Sequence, residues 1–309
     1  MKEKFILENN NSSAEVFLFG GMTTVEFMIG GKKIAPLYTN PWLGTYNEDP
    51  FLNNLKGDFF CLPFGSGPKG STKKYPHGYS CNGVYEITQK GDSAAVISLE
   101  YPKDYLGGSI ENVQRCIELK ENRITFRDTV KVVSPVKLAI GIHPIFRLPC
   151  KPGAAGLRLP ENDGIYTSPT AVDKSSIFQN NIIINNAEDI PLRNGNRLNA
   201  LRLPLDADTE ELLLLSNVKA GKISLDNFEE NYSATMEWDE QGYANCLLWM
   251  SNKGRKFAPW NGRNLCLGIE PVTATFEGGE LGGGRDIKTA YEFTPGTVCF
   301  WHSISVNLL

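Results

Sequence analysis

Apolar and polar residues alternate with a period of two along most of this chain, and that rhythm predicts short strands rather than helices. Glu15 to Phe19 is short and apolar. Val25, Phe27 and Ile29 share one parity ahead of the Gly30-Gly31 pair, which predicts a hairpin turn into Lys32 to Tyr38. Thr39 to Lys56 has no periodicity and reads as a surface loop. The stretch from Lys56 to Gly83 carries six glycines and three prolines around a short apolar core, so a strand followed by a long ordered loop is expected. From Gly83 onward the alternation is regular: Val84 to Thr88, a Lys90-Gly91-Asp92 turn, Ala95 to Tyr101, then Val113 to Leu119 and Ile124 to Val132 as a meander. Residues 150 to 220 are less periodic, and Thr209 to Ser216 fits a short helix or a strand. Strands resume at Ile223 and continue through Ala234 to Trp238 and Cys246 to Met250. Ala290 to Phe293 and Thr297 to Val306 form a last pair across Pro295-Gly296. With no fixed repeat and no linker, residues 1–309 are expected to form a single all-β domain, a large antiparallel β-sandwich; an up-and-down barrel is the competing architecture.

Two stretches stand out within this pattern. In the first, Leu265, Leu267 and Ile269 point to one face of a strand and Cys266, Gly268 and Glu270 to the other. Pro271 follows and is expected to end the strand or make it an edge, since proline brings no N–H to a ladder. In the second, Val136, Leu138, Ile140 and Ile142 share one face, while Ala139, Gly141 and His143 share the other, with Pro144 next. Each strand thus presents two small residues and then an ionisable one on its non-core face. If the two strands are neighbours, Glu270 and His143 flank a shallow floor suited to a flat, polar molecule; otherwise they are unrelated strand-end groups facing solvent. His77 lies in the glycine-rich loop between Pro76 and Gly78, as a ligand-binding group or an exposed loop histidine. Asp128 has the apolar parity of its strand and reads as a paired core acid. His302 shares parity with Val298, Phe300, Ile304 and Val306 and reads as a hydrogen-bonded core histidine.

Composition narrows the possibilities. The formal net charge is −4 and the 31 basic residues are scattered, which argues against a nucleic-acid partner. There is no secretory h-region and no membrane-spanning apolar run, so a soluble, cytoplasmic protein without a membrane partner is expected. Seven cysteines form no C-x-x-C pair, and three histidines are too few for a histidine-rich cage, so neither a disulfide framework nor a metal site is expected.

One carboxylate and one or two histidines, without a nucleophile elbow, phosphate loop or metal signature, point to proton transfer and require no cofactor. Trp249, Trp260 and Phe257 lie near Glu270 in sequence, and broad aromatic faces stack on the apolar faces of pyranose rings, so a small-molecule carbohydrate is the expected ligand. Three islands in order, His77-Gly78, His143-Pro144 within GIHPIFRLP, and Gly268-Ile269-Glu270-Pro271, resemble the aldose 1-epimerases (galactose mutarotases) and their hexose-phosphate epimerase relatives over nearly the whole chain. The resemblance implies that superfamily's large β-sandwich and an isomerase that interconverts sugar anomers. Glu270 would be the base at the anomeric hydroxyl, His143 the acid at the ring oxygen, and His77 a sugar-binding partner. It also implies a second acidic site residue, for which Asp226 and Asp239 are the candidates. Lys56-Gly57-Asp58 stands where typical mutarotases carry an Asn-Arg pair, so Arg147 and Arg263, beside the two strongest islands, are candidates for substrate binding or for loop bracing. A neighbouring carboxylate is expected to favour the charged form of His143. A non-catalytic sugar-binding protein and a glycoside hydrolase using Glu270 with Glu277 are the other readings.

Overall fold

The computed structural model describes residues 3–65, 75–276 and 287–309. Two large antiparallel sheets carry the fold. The first runs Ile183–Ile184, Gly164–Thr167, Thr209–Ser216, Asn245–Asn252, Leu265–Val272, Gly141–Ile142, Phe60–Cys61, with Ile145–Arg147 also paired to Leu265–Val272. The second has nine strands in the order Arg202–Leu203, Ala155–Arg158, Lys222–Asn227, Tyr232–Trp238, Gly296–Leu308, Arg123–Val132, Ile110–Lys120, Ala94–Glu100, Glu86–Lys90. A smaller four-stranded meander, Lys4–Asn9, Ser12–Phe17, Thr23–Ile29 and Lys32–Ile34, precedes both, with the expected turn at Gly30-Gly31.

The period-two pattern becomes three-dimensional in the first sheet. Leu248 and Met250, with Leu267 and Ile269, join the large core that also takes in Ile117, Phe126, Leu225 and Met236 of the second sheet. The alternate residues Leu247, Trp249, Cys266 and Val272 point to the opposite face, into a separate apolar cluster with Trp42, Phe51, Leu55, Phe59, Phe64 and Trp260. Both faces are therefore covered, and every residue of Asn245–Asn252 is buried. That double burial explains why these strands read as nearly unbroken apolar runs.

Thr39 to Lys56 is only in part the surface loop expected from its lack of periodicity: Leu43 to Glu48 is largely exposed, but the segment is anchored in the interior. Asn40, Trp42, Phe51, Asn54, Leu55 and Lys56 are buried, and Pro50–Asn54 forms a one-turn helix capped by Asp49. The segment is irregular because it is fastened by side-chain bonds that substitute for a ladder: Asn40 Nδ2 donates to the Leu52 and Leu55 carbonyls, and Trp42 Nε1 to the Leu52 carbonyl. The expected pairing of Ala290–Phe293 with the last strand is also corrected. Tyr291–Phe293 pairs with Val136–Leu138, and Gly296–Leu308 enters the second sheet instead. Thr209–Ser216 is a strand.

Strand Leu265–Val272 does not end at Pro271, which lies opposite Cys246 inside the sheet. On its other side Ile269 N–H donates to the Pro144 carbonyl and Thr273 N–H to the Ile140 carbonyl. The nitrogen of Pro271 therefore faces the interruption between Gly141–Ile142 and Ile145–Arg147. A missing donor costs nothing where the neighbouring strand breaks.

Between the sheets lies a wholly buried ionic group. Arg115 pairs with Asp58 and, at 3.3 Å, with Asp128, and His302 Nε2 is 2.8 Å from Asp58 Oδ2. Phe126 stacks against both Arg115 and His302. Asp128 and His302 thus occupy the paired core positions that their parity suggested.

Candidate active site

The two short strand ends converge as follows. Gly141 pairs with Val272, and Ile145 to Arg147 pair with Gly268 to Cys266, so the His143 segment runs directly beside the Glu270 strand. His143 Nε2 lies 3.2 Å from Glu270 Oε1, and both residues are about 95% buried or more. The small residues before each group have a steric purpose. A side chain at Gly268 would occupy the space of the Glu270 carboxyl group and press on Trp249 Cβ at 3.1 Å. At Gly141 it would meet Val272 Cγ1 at 2.8 Å as well as the Phe64 ring.

His143 is fixed by its backbone N–H, which donates to the Phe59 carbonyl at 2.9 Å, and by its ring, which stacks on Phe59 at 4.7 Å. His77 comes to it from the glycine-rich loop. Its backbone is left-handed, with φ 58°, and its N–H donates to the Gly65 carbonyl. The His77 ring stacks on Phe51 and meets His143 edge to face, with 5.2 Å between centroids. These groups open on a cavity of about 380 Å³ walled by Phe51, Leu52, Leu55, Phe64, Leu247, Trp249, Trp260 and Phe276, with Arg255 and residues Ser168 to Val172.

Electrostatics corrects one expectation. Burial, aided by the charge of His77, holds the His143 imidazole well below its ordinary pKa. The neighbouring carboxylate was expected to favour the charged form, but removing an imidazolium from water outweighs that attraction. At neutral pH the resting contact is therefore that of a neutral imidazole beside Glu270.

Of the residues singled out from the sequence, Glu270, His143, His77, Trp249 and Trp260 line the cavity. Phe257 does not and is 57% exposed, and four charged residues do not, each held elsewhere by a partner. Arg147 makes a two-pronged ion pair with Glu230, at 2.6 and 2.7 Å. Asp226 pairs with Arg158 on the second sheet. Asp239 accepts from the Gln241 N–H in a turn. Arg263 packs by Trp42 and donates to the Pro259 carbonyl. Lys56 is buried against Phe17 and Glu15, and Asp58 belongs to the inter-sheet group. Glu277 falls outside the described residues.

Sequence reasoning missed two charged residues here. Glu210 is fully buried beside Trp249, and Arg255, on the loop joining Asn245–Asn252 to Leu265–Val272, lines the cavity. The only sequence signal was a glutamate on the apolar strand Thr209–Ser216, where a charge must have a partner. Among the described residues no group of three or more His, Cys, Asp or Glu side chains could hold a metal ion, and no helix is long and apolar enough to cross a membrane.

No protein-family model matches the chain, and no curated sequence resembles it at a significant level. Solved structures do resemble it. A galactose mutarotase-like protein from Clostridium acetobutylicum superposes with a TM-score of 0.61 at 14% identity, covering 100% of both chains. One from Lactobacillus casei gives 0.63 at 15%, covering 99% of this chain and 100% of the other. The aldose epimerase homologue from C. elegans gives 0.66 at 15%, covering 100% of both. Strand order, buried faces and these whole-length superpositions together establish that the chain has the galactose mutarotase-like β-sandwich fold.

Proposed function

We propose that this protein is an aldose 1-epimerase-type isomerase that interconverts the α and β anomers of a sugar. The observation that carries the reading is the 3.2 Å approach of His143 Nε2 to Glu270 Oε1 at the base of a cavity walled by Trp249 and Trp260. The two oxygens that exchange protons in mutarotation, the anomeric hydroxyl and the ring oxygen, hang on the same carbon. An acid and a base serving both must therefore be close neighbours, as these are.

In the proposed cycle Glu270 removes the proton from the anomeric hydroxyl. The bond from the anomeric carbon to the ring oxygen breaks, and that oxygen takes a proton from His143. The open-chain aldehyde turns about its first carbon–carbon bond, and the same transfers in reverse close the ring on the other face. Atoms and charge balance without a cofactor. The indole faces of Trp249 and Trp260 supply the stacking surface, and burial of the pair keeps water from competing for the protons.

Anomeric exchange followed by NMR on a panel of aldoses tests the reading. Glu270→Gln and His143→Asn are each expected to lower the rate by ~10²–10⁴. A wild type that matches both variants on every sugar would overturn it, and sugar affinity surviving both substitutions with no turnover would mark a binding protein instead.

A further inference from the structure

Arg255 is a charged group of the cavity wall that the anomeric chemistry does not use. Arg255 lies over the Trp260 and Trp249 rings, at 4.6 and 5.7 Å from their centroids, with its Nε 3.7 Å from Glu210 Oε2. Its side chain is 23% exposed. No described residue accepts a hydrogen bond from its two terminal amino groups, so the open end of the guanidinium is available to a molecule in the cavity. Glu210 is held in turn: the Ser251 hydroxyl donates to Oε1 at 2.7 Å and Trp249 Nε1 donates to Oε2 at 3.3 Å. Gly254 completes the arrangement, because a Cβ there would press into the Glu210 side chain at 2.8 Å and the Thr209 backbone at 2.5 Å.

We propose, resting on the epimerase reading, that Arg255 is the specificity residue, donating its two terminal amino groups to a pair of adjacent hydroxyls on an uncharged sugar, and that Glu210 is the residue that positions it. A planar fork matches two neighbouring oxygens, and the indole platform fixes its plane relative to the stacked ring. Charge decides against an anionic sugar. Glu210 pairs with Arg255 from behind the wall and Asp173 on the neighbouring loop lies within its field, while Glu270 stands on the wall itself beside His77 and His143. A phosphate or carboxylate would enter beside more negative than positive charge.

The test uses the intact protein with D-glucose, D-galactose, their 2-, 3-, 4- and 6-deoxy derivatives and glucose 6-phosphate, reading kcat and KM by NMR exchange. Arg255→Gln is expected to raise KM on the better hexose by about 10–100-fold with kcat within about twofold, and Arg255→Lys to restore part of the loss. The deoxy sugar lacking a contacted hydroxyl should bind wild type weakly and lose nothing further in Arg255→Gln. Glu210→Gln should raise KM less than Arg255→Gln and add nothing to it in the double variant, with near-UV circular dichroism reporting an intact fold. Unchanged KM in Arg255→Gln overturns the proposal, as does equal loss with every deoxy sugar. A wild-type preference for glucose 6-phosphate that Arg255→Gln abolishes overturns the uncharged class. If no deoxy derivative weakens wild-type binding, the diol contact is wrong whatever the variants do. Wild type inactive on every sugar instead brings down the epimerase reading itself, and the Arg255 assignment with it.

Discussion

In the proposed cycle His143 acts as an acid in a place where burial resists its proton. The consequence is a direction of pH dependence. Because its folded pKa lies below the ordinary 6.5, the imidazolium becomes populated only on the acid side of that value. The alkaline limb of kcat/KM is therefore expected below pH 6.5, with activity rising as pH falls until the base loses its charge; a limb at pH 7 or above counts against His143 as the acid. His302 gives a stability prediction by the same reasoning. Burial and the Arg115 charge push its pKa down to about 3, so the unfolded chain binds a proton there that the folded chain refuses. Its contribution is complete above pH 6.5 and is lost as pH falls toward 3, at about 1 kcal/mol per unit within that window. Urea unfolding at a series of pH values should show a shallower acid decline for His302→Asn than for wild type.

At the level of strands, the proposed catalytic geometry depends on what is absent beside the two ionisable groups. Gly268→Ala places a methyl group where the Glu270 carboxyl group sits. Activity is expected to fall on the order of 10²-fold, since a displacement of about 1 Å suffices for that, with about 1–3 kcal/mol of stability lost by urea unfolding to the crowding against Trp249. An unchanged rate would mean that the carboxylate position is not what matters. Alternation along Leu265–Val272 was readable from the sequence, and so was the face on which Glu270 lies. The continuation through Pro271 was not, because its tolerance depends on a break in the adjacent strand. The Thr39–Lys56 segment was misread for a related reason: side chains such as Asn40 and Trp42 satisfy its backbone, and such bonds leave no period.

For the whole molecule, the two large sheets share one core, and the Arg115 group joins them at its centre. Arg115 and Asp128 come from the second sheet, while Asp58 reaches in from the chain just before Phe60–Cys61 of the first. Arg115→Met is expected to cost about 3–5 kcal/mol by denaturant unfolding, since it leaves two buried carboxylates without a counter-charge. Replacing Asp58 and Asp128 by Asn as well should recover part of that loss. If Arg115→Met unfolds at the wild-type denaturant midpoint, the group does not hold the sheets together.

Taken alone, the sequence determined the class of fold, the two faces of the key strands, and the pairing of a carboxylate and an imidazole with small residues beside them. These are local properties, set by a side-chain period of two and by the backbone limits of glycine and proline. Only the tertiary structure decided that the two strands lie side by side, that Arg147, Arg263, Asp226 and Asp239 are held away from the cavity, and that Arg255 lines it with Glu210 paired behind. Contacts between distant segments depend on strand order and on which partner each charge finds after the chain has closed, and no local pattern carries that information.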